Sequence, residues 1–307
     1  MSMADRDGLI WFDGELVPWR DAKIHVLTHS LHYGMGAFEG VRAYETERGP
    51  CIFKLQEHTD RLFRSGHILK MKIPFSKEEV NEAQRAVVRE NNLREAYLRP
   101  LIFFGSEGMG LRADNLQVHV MVAAWSWPSY MSPEAKEKGI KVRVSSFTRH
   151  HVNISMTKAK ASGHYINSML ALDEALRSGC EEALLLDPEG YVAEGSGENI
   201  FIVRDGVLYT PELTACLDGI TRRTIFTLAE EIGLKVVEKR ITRDEVYVAD
   251  EAFFTGTAAE VMPISEVDGR AIGSGSRGPI TEKLQTMYFD TVKGRRESAL
   301  EWLTPVA

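Results

Sequence analysis

Fourteen residues, 126–139, divide this chain and limit what it can fold into. They hold Pro128 and Pro133, three serines, and the charged cluster Glu134, Lys136, Glu137 and Lys138. Proline has no N–H to give to a ladder, and serine favours turns over regular structure, so the run reads as a connection with room for a short helix. Strand and helix patterns lie on both sides of it. At 307 residues the chain is also long for one hydrophobic core. We therefore expect a smaller N-terminal α/β domain over 1–126, a connection over 127–139 and a larger C-terminal α/β domain over 140–307.

In the first part, Asp13-Gly14 separates two short apolar runs, a hairpin signal. Strands are expected over 37–44, 51–54, 96–104 and 118–125, and helices over about 56–69 and from Ser76, where Glu79 completes a capping-box pattern. In the second part, strands are expected over 141–147, 182–186, 199–203, 207–209 and 252–255, with helices over 165–178, from Thr221 to Gly233, and over 281–291. Strands and helices mix without strict alternation, which favours two α/β or α+β domains over a doubly wound nucleotide fold.

Composition narrows function by exclusion. A net charge of -7 argues against a nucleic-acid footprint. No apolar run approaches the roughly 20 residues that cross a bilayer, and the polar N-terminus lacks the apolar segment of a secretory signal. Cys51, Cys180 and Cys216 are isolated, so neither a disulfide framework nor a zinc site is expected, and a reducing cytoplasm is the simplest compartment. The pair His150-His151 is a weak metal candidate, because neighbours on a strand point to opposite faces. There is no Gly-x-Ser-x-Gly elbow, no phosphate loop ending in Gly-Lys-Ser/Thr and no His-Glu-x-x-His.

What remains is a lysine and a carboxylate in unusual settings. Lys158 and Lys160 lie in Thr157-Lys158-Ala159-Lys160-Ala161-Ser162-Gly163-His164-Tyr165, and Glu194 opens Glu194-Gly195-Ser196-Gly197-Glu198-Asn199. Pyridoxal 5'-phosphate needs an amine for its aldehyde and a charge partner for its ring nitrogen. Spacing does not choose between the lysines, since two residues apart on an extended segment they share a face. Tyr165 could meet the ring hydroxyl. The segments Leu217-Asp218-Gly219-Ile220-Thr221 and Thr255-Gly256-Thr257-Ala258-Ala259 look like anion cradles, rich in small residues and backbone N–H groups, the first at a helix start. Arg61 could supply a cationic clamp. Each of these residues has an ordinary structural reading when taken alone.

Taken in order, the motifs resemble the class IV pyridoxal-phosphate aminotransferases of fold type IV, and within them the bacterial branched-chain amino acid aminotransferases. The resemblance runs over nearly the whole chain. It rests on His32-Tyr33-Gly34, Phe38-Glu39-Gly40-Val41-Arg42, Tyr97-Leu98-Arg99-Pro100-Leu101, the lysine and glutamate segments above, Leu217 to Arg222, and Thr255 to Glu260. It implies a two-domain fold with the cofactor at the domain interface, and it selects Lys160, in the C-terminal domain, as the Schiff-base lysine and proton carrier. It further implies Glu194 for the pyridine nitrogen, Tyr165 for the ring hydroxyl, and Arg61, Leu217, Gly219, Ile220, Thr221, Gly256 and Thr257 for the cofactor and its phosphate.

The implied substrate wall is Tyr33, Phe38, Gly40, Tyr97, Arg99, Leu111, Trp127, Tyr130, Thr257 and Ala258, with Leu111 and Tyr130 reaching a neighbouring subunit's pocket. The implied reaction moves an amino group between leucine, isoleucine or valine and 2-oxoglutarate, giving branched 2-oxo acids and glutamate, in a homo-oligomer of at least two subunits. Many bacterial relatives are hexamers, as trimers of dimers. D-amino acid aminotransferase and aminodeoxychorismate lyase share the fold and are the enzymatic rivals. A pyridoxal-phosphate-binding protein without turnover is the rival from another class. One departure stands out: many relatives carry Gly-Gly-Asn-Tyr where this chain has Ser162-Gly163-His164-Tyr165.

Overall fold

The computed structural model describes residues 2–127 and 132–307, and these fall into two units. The first is Met1–Pro128 with Ala159–Gly163 and Thr291–Ala307; the second is Ser129–Lys158 with His164–Asp290. Lys160 groups with the first unit, and so does the C-terminal segment, although sequence reading places both in the C-terminal domain.

The first unit is built on an eight-stranded sheet. Its strands run in the order Leu303–Pro305, Gly49–Phe53, Val41–Thr46, Ala96–Phe104, Val118–Trp125, Leu9–Phe12 and Glu15–Pro18, with Gly36–Phe38 also on Ala96–Phe104. All of its pairings are antiparallel. The expected first hairpin forms, and its turn residues Asp13 and Gly14 have φ of 47° and 102°. Positive φ at both central positions is what a two-residue turn needs to match strand twist.

Two helices, Leu55–Ile68 and Lys77–Glu90, cover this sheet. The second begins with a complete capping box, in which Ser76 Oγ accepts from Glu79 N (3.2 Å) and Ser76 N donates to Glu79 Oε2 (2.7 Å). Leu62, Val80 and Val87 from the helices meet Val41, Ile52, Leu98, Ile102 and Val122 from the sheet, all fully buried. Each such side chain contributes about 1.5–3 kcal/mol by leaving water.

The strand expected over 37–44 is broken into Gly36–Phe38 and Val41–Thr46. The register against Ala96–Phe104 continues across the gap, from Phe38↔Leu101 to Val41↔Leu98. Pro100 explains the break. Glu39 N donates to Pro100 O (2.8 Å), but proline has no N–H to return the bond.

The second unit is built on a nine-stranded mixed sheet in the order Val192–Gly195, Glu182–Leu186, Ile140–Val144, Glu260–Val267, Glu251–Gly256, Asn199–Arg204, Val207–Thr210 and Val236–Glu238, with Arg270–Ala271 beside Glu260–Val267. Its parallel pairs need crossovers. Helix Tyr165–Arg177 lies between Ile140–Val144 and Glu182–Leu186, and helix Ile220–Glu231 between Val207–Thr210 and Val236–Glu238. The central strands are buried on both faces, with Ile200, Ile202, Phe254, Met262 and Ile264 in one core.

Sequence reading missed the long strand Glu260–Val267, where Pro263 interrupts the pattern. It also missed Leu303–Pro305, whose partner Gly49–Phe53 lies far back in the chain. No described helix is long and apolar enough to cross a membrane.

Candidate active site

The lysine segment is not the extended run its spacing allowed: Thr157 and Lys158 lie in a turn, Ala159 in a bend, and Ala161 makes only a lone bridge. Burial alternates along 157–161, with Thr157, Ala159 and Ala161 buried and both lysines half-buried. The two ammonium groups then part. Lys158 Nζ donates to the carbonyl oxygens of Leu213 and Cys216, the latter at 3.0 Å, so it serves as a backbone brace. Lys160 is held through its main chain: its N donates to Ser65 Oγ (3.0 Å) and its O accepts from Phe38 N (3.1 Å). A β-bridge between Ala37 and Ala161 completes the attachment, and Lys160 Nζ lies 5.2 Å from the centre of the Phe38 ring.

Around Phe38 the first unit gathers most of the expected substrate wall. Arg99 Cζ sits 4.4 Å over the Phe38 ring, and Arg99 Nη2 donates to Tyr97 Oη (3.0 Å). Tyr97 meets Trp127 edge-on at 4.7 Å. Gly40 packs close to this ring: a Cβ there would lie 2.2 Å from Tyr97 Oη, so the tyrosine would have to shift. Tyr33 and Leu111 belong to the same unit but are 42% and 92% exposed, with Gly110 N donating to Tyr33 Oη (3.1 Å). Tyr130 lies outside the described residues.

Arg61 is buried, and the reason is Glu39, which sequence reading had noted only as part of a motif. Arg61 Nε and Nη2 donate to Glu39 Oε1 and Oε2 at 2.7 and 2.8 Å. His58 Nδ1 meets Glu39 Oε2 at 2.7 Å and must carry the hydrogen, since a carboxylate only accepts. Burial opposes ionisation of Glu39, but the Arg61 charge and the two donors win and hold its carboxyl down at about 2. His58 goes the other way: burial lowers its pKa, with only partial relief from Glu39. The signal for this triad was the i, i+3 spacing of His58 and Arg61, one turn apart on a helix. The carboxylate that joins them is 19 residues from His58 and had no local signature.

In the second unit, Glu194 lies within strand Val192–Gly195 and is buried. Its Oε1 pairs with Arg149 Nη2 at 2.7 Å. Its Oε2 accepts from Leu217 N (3.1 Å) and Asn199 Nδ2 (3.4 Å). Asn199 Nδ2 also donates to Leu217 O (2.9 Å), which ties the first cradle to the glutamate strand. Gly219 is the N-cap of helix Ile220–Glu231 and no side chain caps that helix, while Ile220 and Thr221 are buried in its first turn. A Cβ on Gly219 would come within 1.9 Å of Asn199 Oδ1.

The second cradle is a hairpin loop. Thr257, Ala258 and Ala259 join Gly256 to Glu260, which takes φ of 60°. Tyr165 begins its helix, half-buried. Arg149 was missed by sequence reading, and its neighbours His150 and His151 had drawn attention only as a metal pair. His150 instead packs against His164, ring centres 4.5 Å apart. Burial, with neighbouring positive charge, brings both imidazoles down to about 4. No group of three His, Cys, Asp or Glu among the described residues could hold a metal ion.

These residues fit pyridoxal phosphate. A buried carboxylate ends beside a helix start whose backbone N–H groups lack a capping side chain, a donor set suited to an anion. In the first unit, Lys160, held by its main chain, carries an amine of the kind an aldehyde needs.

The chain belongs to the class IV aminotransferases, whose family model matches residues 36–267. Within that family it is similar to branched-chain enzymes. It is 72% identical over 306 residues to the branched-chain-amino-acid aminotransferase of Pseudomonas aeruginosa, covering 100% of both chains. It is 46% identical over 299 residues to the Escherichia coli enzyme of the same name, covering 97% of each. Among solved structures, a T.th. branched-chain amino acid aminotransferase with pyridoxamine 5'-phosphate superposes with a TM-score of 0.96 at 50% identity, over 98% of this chain and 99% of that one. The same enzyme complexed with N-(5'-phosphopyridoxyl)-L-glutamate gives 0.94 at 48%, over the same shares.

Proposed function

We propose that this chain is a pyridoxal-phosphate-dependent branched-chain-amino-acid aminotransferase, exchanging an amino group between leucine, isoleucine or valine and 2-oxoglutarate. The observation that carries the reading is the buried Glu194 carboxylate, met by Arg149, Asn199 and Leu217 N next to an uncapped helix start, in a chain so similar to named branched-chain enzymes. Pyridoxal phosphate, held by the Lys160 amine until the substrate's amine takes its place, would supply an electron sink for the pair released when the substrate's Cα proton leaves, with Lys160 Nζ then free. Lys160 Nζ takes that proton and returns it, acting as base and then acid.

Glu194 keeps a proton on the ring nitrogen by offering it a negative charge. Tyr165 meets the ring hydroxyl. Arg61, Thr221, Thr257 and the backbone at Leu217, Gly219, Ile220 and Gly256 hold the phosphate, with Glu39 keeping the Arg61 fork in place. Phe38, Gly40, Tyr97 and Trp127 form an apolar wall for the aliphatic side chain, and Arg99 meets the second carboxylate of glutamate. Thr257 and Ala258 receive the α-carboxylate.

The exposed Leu111 and Tyr33 suit a homo-oligomer of at least two chains, a hexamer in the fuller form, in which Leu111 and Tyr130 complete a neighbour's pocket. The isolated cysteines suit the cytoplasm. The test is the spectrum of the purified protein with pyridoxal phosphate: an absorbance band lost on borohydride treatment, and reversibly on adding L-leucine. A band that answers to D-alanine in place of L-leucine overturns the substrate assignment. A Lys160→Ala protein with full transamination overturns the catalytic one.

A further inference from the structure

The proposed reaction makes no use of His29, the first residue of helix His29–Tyr33 in the first unit. It is 4% exposed, and its Nε2 lies 2.8 Å from the carbonyl oxygen of Gly110, so Nε2 carries the hydrogen and donates. Its Nδ1 is buried, with no hydrogen-bond partner among the described residues. An apolar side chain would fill the same place without an unmet nitrogen, so the bond to Gly110 is what an imidazole adds there. The ring also packs on Tyr33, centres 4.4 Å apart, and Tyr33 Oη accepts from Gly110 N at 3.1 Å. Gly110 is thus tied through both its N–H and its C=O, by two side chains that touch each other. It takes φ of 103°, a conformation L side chains rarely adopt. The base of this 105–117 loop is closed as well. Gly105 N donates to Gln117 O (3.0 Å), Gln117 N donates to Glu107 Oε2 (3.0 Å), and His29 N donates to Gly105 O (2.7 Å). On either side of the tie, Met109 and Leu111 are exposed.

Large apolar side chains left in water beside a doubly tied glycine mark a surface made to be covered. A surface ordered in advance also avoids the entropy cost of ordering on contact. We propose that His29 is a positioning residue: through Gly110 it holds Leu111 and Tyr33 as one rigid projection, and so sets the shape of the substrate wall in a second copy of the chain. Its effect falls on substrate binding, since that wall meets the aliphatic side chain and not the Cα proton. The placement in a neighbour's pocket rests on the function proposed above; the strap from His29 to the loop does not.

The test compares wild type, His29→Gln and His29→Phe, each loaded with pyridoxal phosphate, by steady-state kinetics with L-leucine and by hydrogen exchange of peptides over 105–117. Glutamine keeps an N–H for the Gly110 carbonyl, and phenylalanine keeps a ring against Tyr33 without the donor. His29→Phe should raise KM for leucine about tenfold, the scale of one lost hydrogen bond, with kcat within about twofold of wild type. Its loop peptides should exchange about tenfold faster for the same reason. His29→Gln should bring both back to within about threefold of wild type. An unchanged KM in His29→Phe overturns the role in the pocket, and so does a kcat that falls as far as KM rises. Glutamine as damaging as phenylalanine overturns the strap, as do wild-type loop peptides that exchange like unfolded chain. If phenylalanine prevents folding, protection of the loop in wild type and its retention with glutamine still decide. If wild type sediments as a monomer, the neighbour's pocket falls. If it does not turn over leucine, the proposed function falls. In both cases the exchange result judges the strap separately.

Discussion

Replacing Glu39 by alanine should destabilise the first unit more than any other single change at its site. Glu39 is 0% exposed and takes three charge-assisted bonds, two from Arg61 and one from His58. Its carboxyl is held at about 2, against 4.5 for an unperturbed glutamate. That difference corresponds to about 3 kcal/mol at neutral pH, at 1.36 kcal/mol per unit. Removal of one partner from a buried ion pair gives about 3–5 kcal/mol, because the remaining charge is left unpaired in the interior. The two routes agree.

The assay is thermal melting of Glu39→Ala, Glu39→Gln and wild type without cofactor, at fixed protein concentration, with an expected loss on the order of 10 °C for alanine. The pH dependence has a definite sign. The folded pKa of Glu39 lies below its ordinary value, so its contribution is complete above about 4.5 and disappears as pH falls toward 2. His58 is also lowered, so its contribution is complete above 6.5 and declines on acidification below that value. Wild type should therefore lose stability on acidification through this range, and Glu39→Gln should lack the portion between 4.5 and 2. A Glu39→Ala protein that melts within about 1 °C of wild type refutes the account of a buried pair.

Three further outcomes are expected. Arg149→Leu leaves Glu194 buried without its cation, and should lower stability by about 3–5 kcal/mol in urea titrations and weaken pyridoxal-phosphate binding; unchanged values for both would remove Arg149 from the site. Gly40→Ala drives a methyl into Tyr97 Oη, so KM for leucine should rise by about tenfold or more from an overpacked wall, as steady-state kinetics would show. Arg99→Ala should reduce kcat/KM for glutamate about tenfold or more beyond its effect on leucine, the worth of a hydrogen bond to a charged group, and equal losses with both would sink the selective role.

The parts of the fold legible in the sequence are those set by near neighbours. Asp13-Gly14 forms the hairpin it announces, and Asp205-Gly206 turns a second one, with positive φ at all four residues. Ser76 and Glu79 cap their helix because a hydroxyl and a carboxylate three residues apart reach each other's backbone N–H. The strands Ala96–Phe104 and Val118–Trp125 lie where their apolar runs placed them. Chemistry was legible to the same depth: the lysines, Glu194 and the glycine-rich cradles are short-range patterns.

What only the tertiary structure decided depends on residues far apart in the chain. Lys158 is bonded to carbonyls some 55 residues away, a partnership that no local pattern announces. Glu39 and Arg149 emerged as the partners of Arg61 and Glu194 because strand register and helix packing bring buried charges together across tens of residues. Pro100 breaks a strand it does not belong to, through the one N–H it cannot offer its neighbour. A sequence specifies local geometry through bonded neighbours and turn chemistry. Which charge neutralises which, in an interior where an unpaired charge costs several kcal/mol, is settled only when the sheets close.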